Sequence, residues 1–351
     1  MLNHVVVGAS SLLKRSVEDG SKTSNWALGI FTLETLIFLP VFVFITYTLS
    51  TLYPALAIVE DDHAPPTYQP LSLDANNTEE GGQARAPATE FPVTASLRRV
   101  HALVMSIDGW RSVFRGLLPL LAADIATAFL RIILAAPLEP IYLGPLASVP
   151  AHLALVQLHT VWLHVVITPP NPNPFWKRLP PFGKTFKATV RPIILYALAK
   201  EIARGVPVLI FKMVSGTSKF GTNAISALLF APLFLVLWFF VEIPAQIALV
   251  RIQASLLPPD EDPIVPFDRS FGGRVNPLLT VGNEGAEGEK TVATLRDIWE
   301  TISKAAMWRV ARLVIKVTGV HVVVWLLFIM IVGATDSLTG GVKLGHGKDW
   351  W

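Results

Sequence analysis

Long runs without any charged side chain constrain this fold more than any other feature of the sequence. A helix needs about 20 apolar residues to cross a bilayer, and four uncharged runs approach or exceed that length. Lipid offers no partner for backbone N–H and C=O groups, so such runs must form helices or a closed barrel. The uncharged runs lack the alternating polarity of barrel strands. The sequence therefore predicts an all-α integral membrane protein. The runs are residues 35–59, 140–176, 220–241 and 317–335.

Two further apolar stretches contain charges. Residues 116–138 include Asp124 and Arg131, and residues 189–211 include Lys200 and Arg204. Counting both predicts about six transmembrane helices. A chain that is 52% hydrophobic and only 16% charged fits this class better than an ordinary soluble domain.

Composition also excludes several functions. The chain has no cysteine, which excludes disulfides, thiol catalysis and cysteine metal sites. A net charge of +3 gives no argument for a nucleic-acid partner. His152 and His159 fall on one helical face and His164 on another, without an acid nearby to complete a metal site, which favours helix packing. We therefore predict no enzyme activity, no cofactor and no metal.

An internal repeat organises the chain. The stretch beginning Pro150-Ala-His-Leu-Ala-Leu-Val returns as Pro244-Ala-Gln-Ile-Ala-Leu-Val, and the similarity continues over ten positions to the pair Arg251 and Gln253. Each proline removes a backbone donor and should kink its helix. A weaker third copy is predicted at Pro40.

A second, shorter pattern places an aromatic residue, a cation and a small residue before the next span. It occurs at residues 114–116 (Phe-Arg-Gly), 186–188 (Phe-Lys-Ala) and, with valine in the small position, 308–310 (Trp-Arg-Val). The two patterns together predict one membrane domain over residues 1–351 with three two-helix repeats. Their approximate bounds are 26–138, 139–213 and 220–335.

Two stretches resemble signatures of the mitochondrial carrier family. The run from Pro244 to Gln253, with Arg251, is similar to the signature of proline, acid, base, arginine and glutamine. The run Asp108-Gly109-Trp-Arg-Ser-Val-Phe-Arg115-Gly116 is similar to the second signature of acid, glycine, aromatic, base and glycine. In diluted form the resemblance covers residues 26–333. It implies a carrier-like bundle around a central solute path, in a mitochondrial membrane, with short amphipathic helices near residues 96–112 and 294–304.

The same resemblance shows what is missing. The family closes one face with ion pairs between an acid and a base that follow each proline. Here the acid positions hold Phe42, His152 and Gln246, and the base positions hold Ile45, Leu155 and Leu249. Two functions follow: a divergent carrier of a small solute, or a carrier-like scaffold or adaptor that does not transport, for example on the outer membrane. The sequence is compatible with either mitochondrial membrane.

Charges within the spans supply the candidate solute-binding residues. An ionised group near the bilayer centre is costly and usually faces protein or water, and the cations among these residues favour an anionic solute. The alternative is that the long side chains reach to the interface. Polar loops at residues 60–95 and 256–293 are predicted to be flexible, and they offer a surface for a protein partner or for lipid headgroups. The candidates are Asp124, Arg131, Lys200, Glu201, Arg204 and Lys316.

Overall fold

A computed structural model describes residues 25–61, 92–138, 140, 144–215, 224–276 and 292–338. Over these residues the protein is all-helical and contains no strand, as the uncharged runs predict. The α-helices are α1 (Asn25–Val43), α2 (Tyr53–Val59), α3 (Leu97–Asp108), α4 (Leu117–Ala135), α5 (Ser148–Ala154), α6 (Val156–Ile167), α7 (Phe182–Ser215), α8 (Ala224–Leu237), α9 (Ile243–Ser255), α10 (Leu295–Thr301) and α11 (Lys304–Leu338). Two π-helical segments, Phe44–Leu52 and Trp238–Glu242, precede α2 and α9.

The chain divides into two compact units. The first draws on Met1–Thr48 and Lys316–Trp351, and the second on Leu49–Ile315. In the first unit α1 and α11 pack through aromatic rings: Phe38 and Phe42 each lie 5.2 Å from Phe328, centroid to centroid. Trp325 lies 5.3 Å from Phe42. Such edge contacts add to the burial of large apolar rings.

Within the described residues, four helical segments are long and apolar enough to cross a membrane. A fifth span results if the pair Gly144–Ala154 and Val156–Ile167, bent by 62°, counts as one. The predicted crossing at residues 189–211 lies in the continuous helix α7, whose charged side chains keep it out of this apolar class. The four segments are Gly29–Val59, Leu97–Ala135, Ala231–Ser255 and Lys304–Thr335.

The third copy of the repeat is predicted at Pro40, and the structure also places Pro54 in a setting like that of Pro244. Pro54 directly follows Tyr53 at the end of the first π-helical segment, as Pro244 follows Ile243 at the end of the second. Pro40 lies inside α1. Proline has no N–H for the preceding turn, and a wide π turn accommodates the missing bond. At Pro150 the helix instead breaks a few residues later, between α5 and α6.

Both glycines of the stretch Asp108–Gly116 adopt backbone conformations that favour glycine. Gly109, after α3, has φ 56°, and Gly116, before α4, has φ 80°. Side chains with a Cβ rarely adopt these positive φ values. The chain thereby turns twice between the short helix α3 and the apolar helix α4. The predicted short helices near residues 96–112 and 294–304 are confirmed as α3 and α10.

The core of the second unit lies where α2, α6 and α9 pack on one another. Every residue of α2 is buried, as is every residue of α9 from Ile247 to Ser255. Residues 257–276 fold over these helix ends and bury Phe267 and Phe271. The predicted loop residues 62–91 and 277–291 lie outside the described part of the chain.

Candidate functional site

Polar side chains at the ends of α2, α6 and α9 form the first of two polar regions in the second unit. We call it the end network and define it as Glu60, Asp61, Thr160, His164, Thr168, Arg251, Gln253 and Arg309. Arg251, 1% exposed, is its most buried cation. Its Nη2 donates to Asp61 Oδ1 at 2.7 Å and its Nη1 to the Ile58 carbonyl at 3.3 Å. The guanidinium also lies 5.4 and 5.8 Å from the ring centroids of Phe267 and Phe271, in cation–π range.

Gln253 connects α9 to α6. Its side-chain Nε2 donates to Thr160 Oγ1 at 3.3 Å, and its backbone carbonyl accepts the Nε2–H of His164 at 2.9 Å. Buried polar groups are costly unless they are hydrogen-bonded. Both polar residues of the repeated stretch, Arg251 and Gln253, therefore hold helix ends together.

Arginine side chains cap the carbonyls at all three helix ends. Arg115 donates to the Thr168 carbonyl after α6, and Arg309 donates to the Glu60 carbonyl after α2 at 2.6 Å. These are two cations of the aromatic–cation–small pattern. The third, Lys187, is exposed, and Arg269 serves the end of α9 instead. Cations placed at helix C-termini satisfy free carbonyls and favour the helix dipole.

Residues 257–276, which we call the strap, tie the end network together. The Ile264 N–H donates to the carbonyl of Ile167 at 2.7 Å, and the Asp61 N–H donates to that of Pro266 at 2.8 Å. Arg178 forms a 2.6 Å ion pair with Glu261. The strap thus covers the ends of α2, α6 and α9 and is held by backbone hydrogen bonds and the Arg178–Glu261 ion pair.

Asp268 sets the local shape of the strap. Its carboxylate accepts the N–H and hydroxyl of Ser270 and the N–H of Gly272 at 2.6 to 2.8 Å. Burial by itself would raise the pKa of this carboxyl, but these hydrogen bonds outweigh burial and hold the pKa below its usual value. The ionised Asp268 therefore belongs to the folded strap.

The second polar region lies on α4, α5, α6 and α7 and at the end of the second π-helical segment. We call it the polar cluster and define it as Asp124, His152, His159, Tyr196, Lys200, Arg204 and Glu242. The rings of His152 and His159 stack at 5.3 Å, although the two residues lie on separate helices, α5 and α6, and not on one helical face as predicted. Thr127 Oγ1 lies 3.0 Å from His159 Nε2, and His152 Nδ1 donates to the Ser148 carbonyl at 2.6 Å.

The charged members of the cluster have few direct partners. Lys200 Nζ lies 5.6 Å from the centroid of the Tyr196 ring. Arg204 Nη2 lies 3.7 Å from Glu242 Oε1, a long contact for an ion pair. Lys200 is within electrostatic range of the carboxyl groups of Asp124 and Glu242. The region combines both signs of charge on helices that are otherwise apolar.

An apolar layer lies between Glu242 and Arg251 along the second repeated stretch. Val156, Ile193 and Leu249 pack together in it, with Leu153 and Tyr196 against them. From Leu249 back to Glu242 is seven residues, which corresponds to about 10 Å along a helix. Leu249 occupies a position where the carrier resemblance implies a basic gate residue.

The structure brings together most of the predicted solute-binding residues. Asp124, Glu201 and Arg204 each lie within electrostatic range of Lys200, and Arg131 lies within range of His152. Lys316 belongs to the first unit and is not part of this group. Asp108 is exposed at the end of α3.

Sequence reasoning missed four members of the cluster: His152, His159, Tyr196 and Glu242. The signal for Glu242 was available, since it is the acid that ends an uncharged run just before Pro244. The histidines and Tyr196 become informative only when α5, α6 and α7 are brought together. Among the described residues, no three His, Cys, Asp or Glu side chains are grouped to hold a metal ion.

These features define a class: an all-helical protein whose long apolar helices indicate that it is embedded in a membrane. Comparison with family models, curated proteins and solved structures finds no match to this chain.

Proposed function

We propose that the chain is a divergent carrier-like protein of a mitochondrial membrane that transports a small charged solute bound at the polar cluster. The observation that carries this proposal is the convergence of Lys200, Arg204 and Glu242 on otherwise apolar helices with only one long ion pair between them. Charges in a membrane helix are expensive, and they are usually retained where they contact water or a solute. A purely structural site would pair them closely.

The repeat supports the carrier part of the proposal. Pro54 and Pro244 lie in the first turns of α2 and α9, and Pro150 lies in α5, directly before α6; the helices α2, α6 and α9 contact one another. Each of the three ends has an arginine at its last carbonyls. A threefold arrangement of this kind is what the resemblance to the carrier signatures implies. The assignment to mitochondria rests on that resemblance.

In this proposal the end network and the apolar layer form the closed gate on one side of the solute site. The gate differs from the expected ring of ion pairs, because packing of Leu249 with Val156 and Ile193 replaces it. Arg251 and Asp61 supply an ion pair beyond that layer. Release of solute on this side requires α2, α6 and α9 to separate.

One observation favours the second candidate, a carrier-like scaffold that does not transport. The strap fastens the closed ends with backbone hydrogen bonds to Asp61 and Ile167 and with the Arg178–Glu261 ion pair. Opening the gate would break these bonds together. A scaffold has no such requirement and would keep the ends closed.

Cysteine accessibility separates the two functions, because the natural chain has no cysteine. Single cysteines at Lys200 and Arg204 are tested with a membrane-impermeant thiol reagent in reconstituted liposomes. The control, Ile202→Cys, lies between them on the opposite, exposed face of α7. The carrier proposal expects labelling at residues 200 and 204, no labelling at residue 202, and uptake of charged solutes by liposomes that contain the natural chain. Absence of both labelling and uptake would establish the scaffold instead.

A further inference from the structure

The charges around the polar cluster are balanced, which bears on the solute. Three cations, Arg131, Lys200 and Arg204, are matched by three acids, Asp124, Glu201 and Glu242. A site for a simple anion would carry an excess of cations. A purely anionic solute, as predicted from the sequence, would therefore leave these three acids without a partner.

Glu242 has a carboxylate oxygen with unused capacity. The side chain is only 6% exposed, and its Oε1 has the long contact to Arg204. In the described part of the protein, Oε2 is buried without any hydrogen-bond partner. A buried acceptor left unpaired costs free energy, and more so when it is charged. A donor on a bound molecule, such as an ammonium group, would satisfy it.

Lys200 is the complementary group. It is half-buried, its ammonium lies near the face of Tyr196, and no ion pair to it is present among the described residues. Lys200 and Arg204 are four residues apart on α7 and share a face. Since Arg204 reaches Glu242, Lys200 and Glu242 border the same region. The three ammonium hydrogens of lysine suit a carboxylate.

We propose that the polar cluster binds a small zwitterion of the α-amino acid type. Glu242 Oε2 accepts hydrogen bonds from the ammonium group of the zwitterion, and Lys200 Nζ donates to its carboxylate. The apolar layer and the stacked pair of His152 and His159 border the site where the remaining side chain would lie. This inference rests on the proposed solute-binding function and names its substrate class.

The test measures thermal stabilisation of the purified, detergent-solubilised protein by each of the twenty standard amino acids. Every amino acid that stabilises is compared with its two half-molecules, which for alanine are propionate and ethylamine. We expect the zwitterion to bind at least tenfold more tightly than either half-molecule. Glu242→Gln and Lys200→Gln should each weaken zwitterion binding about ten- to a hundredfold, because each removes a charge-assisted hydrogen bond. The matched controls Glu300→Gln and Lys184→Gln remove exposed charges away from the cluster and should not change it.

The possible outcomes separate the inference from the function on which it rests. If carboxylates without an amine bind as tightly as amino acids and Glu242→Gln has no effect, the zwitterion assignment is wrong while solute binding stands. If the amines alone bind and Lys200→Gln has no effect, the same conclusion holds. If no compound stabilises the protein and liposomes take up neither anions nor amino acids, both the assignment and the transport function are wrong.

Discussion

The end network and the polar cluster both belong to the second unit and both contain charged residues of either sign, yet they differ in how their charges are paired. In the end network Arg251 is 1% exposed, lies 2.7 Å from Asp61 and is flanked by two aromatic rings. In the polar cluster Arg204 is 55% exposed and lies 3.7 Å from Glu242. In the first arrangement a close ion pair and two aromatic faces hold the guanidinium, although the Arg251 Nε–H has no hydrogen-bond partner among the described residues. The second leaves acceptor and donor capacity unused.

This contrast assigns stability to one region and binding to the other. Removing one partner from a closely paired buried group leaves the other partner charged and unsatisfied. Removing a group whose pairing is loose and exposed changes the free energy of unfolding little. Substitutions in the two regions should therefore separate cleanly into effects on stability and effects on solute binding.

The largest expected effect comes from Arg251→Ala. This change leaves the Asp61 carboxylate, the Ile58 carbonyl and the faces of two phenylalanines without their common partner. Loss of one member of a buried ion pair costs about 3–5 kcal/mol. The measurement is chemical or thermal unfolding in detergent micelles, followed by circular dichroism.

Arg204→Ala is the matched control for that measurement. It removes the same side chain from the polar cluster, where Arg204 is 55% exposed and its contact with Glu242 is 3.7 Å long, so we expect a smaller loss of stability than for Arg251→Ala. Equal losses of stability in the two variants would contradict the division between a structural network and a binding cluster. Loss of solute binding in Arg204→Ala, with binding retained in Arg251→Ala, would support that division.

A smaller effect is expected when a helix-end cap is removed. Arg309→Ala leaves the Glu60 carbonyl without its 2.6 Å donor in a buried position, and an unsatisfied buried acceptor costs about 1–3 kcal/mol. Lys187→Ala removes the exposed cation at the corresponding position of another repeat, where surface changes stay within about 0.5 kcal/mol. A similar cost for both would mean that the arginine caps are not what distinguishes the end network.

The third effect should be confined to the strap. Glu261→Gln breaks the ion pair between Glu261 and Arg178. The Arg178 side chain is 9% exposed and the Glu261 side chain is 18% exposed. We expect faster amide hydrogen exchange in residues 257–276, with the helices unchanged, because loops held by few contacts open locally. Asp260→Asn, at the exposed neighbouring position, is the control. Faster exchange throughout α2, α6 and α9 would show instead that the strap and the helix ends unfold as one.

Much of the fold could be predicted from the sequence, because the uncharged runs leave only helices as a solution in lipid. The two signature glycines at 109 and 116 and the short helices α3 and α10 follow from local rules in the same way. The end network could not be predicted: Arg251 finds Asp61, 190 residues away along the chain, only after three helices meet. The likeness of Pro54 to Pro244 could not be predicted either, because both prolines follow a π-helical turn that no residue pattern indicates.

The same reasoning explains the outcome at the candidate site. Lys200, Glu201 and Arg204 were visible as charges in an apolar segment. Glu242 stood at the edge of a run and was read as a flank of the repeat. Its burial depends on contact between α7 and the second π-helical segment, which is tertiary information.

The smallest expected effect is a pH dependence centred on Asp268. Its pKa is held below the usual value, about 4 for an aspartate, so its carboxylate is bound more tightly in the folded strap than in the unfolded chain. Its contribution to the free energy of unfolding is therefore fully present above about pH 5 and is lost as the pH falls through the lowered folded-state pKa. Asp268→Asn keeps one acceptor oxygen and removes the charge. The difference in unfolding temperature between the natural chain and this variant should be constant near neutral pH and should shrink below about pH 4. A difference that stays constant down to the most acidic pH at which the protein folds would mean that the shape of the side chain, and not its charge, holds residues 268–272 in place.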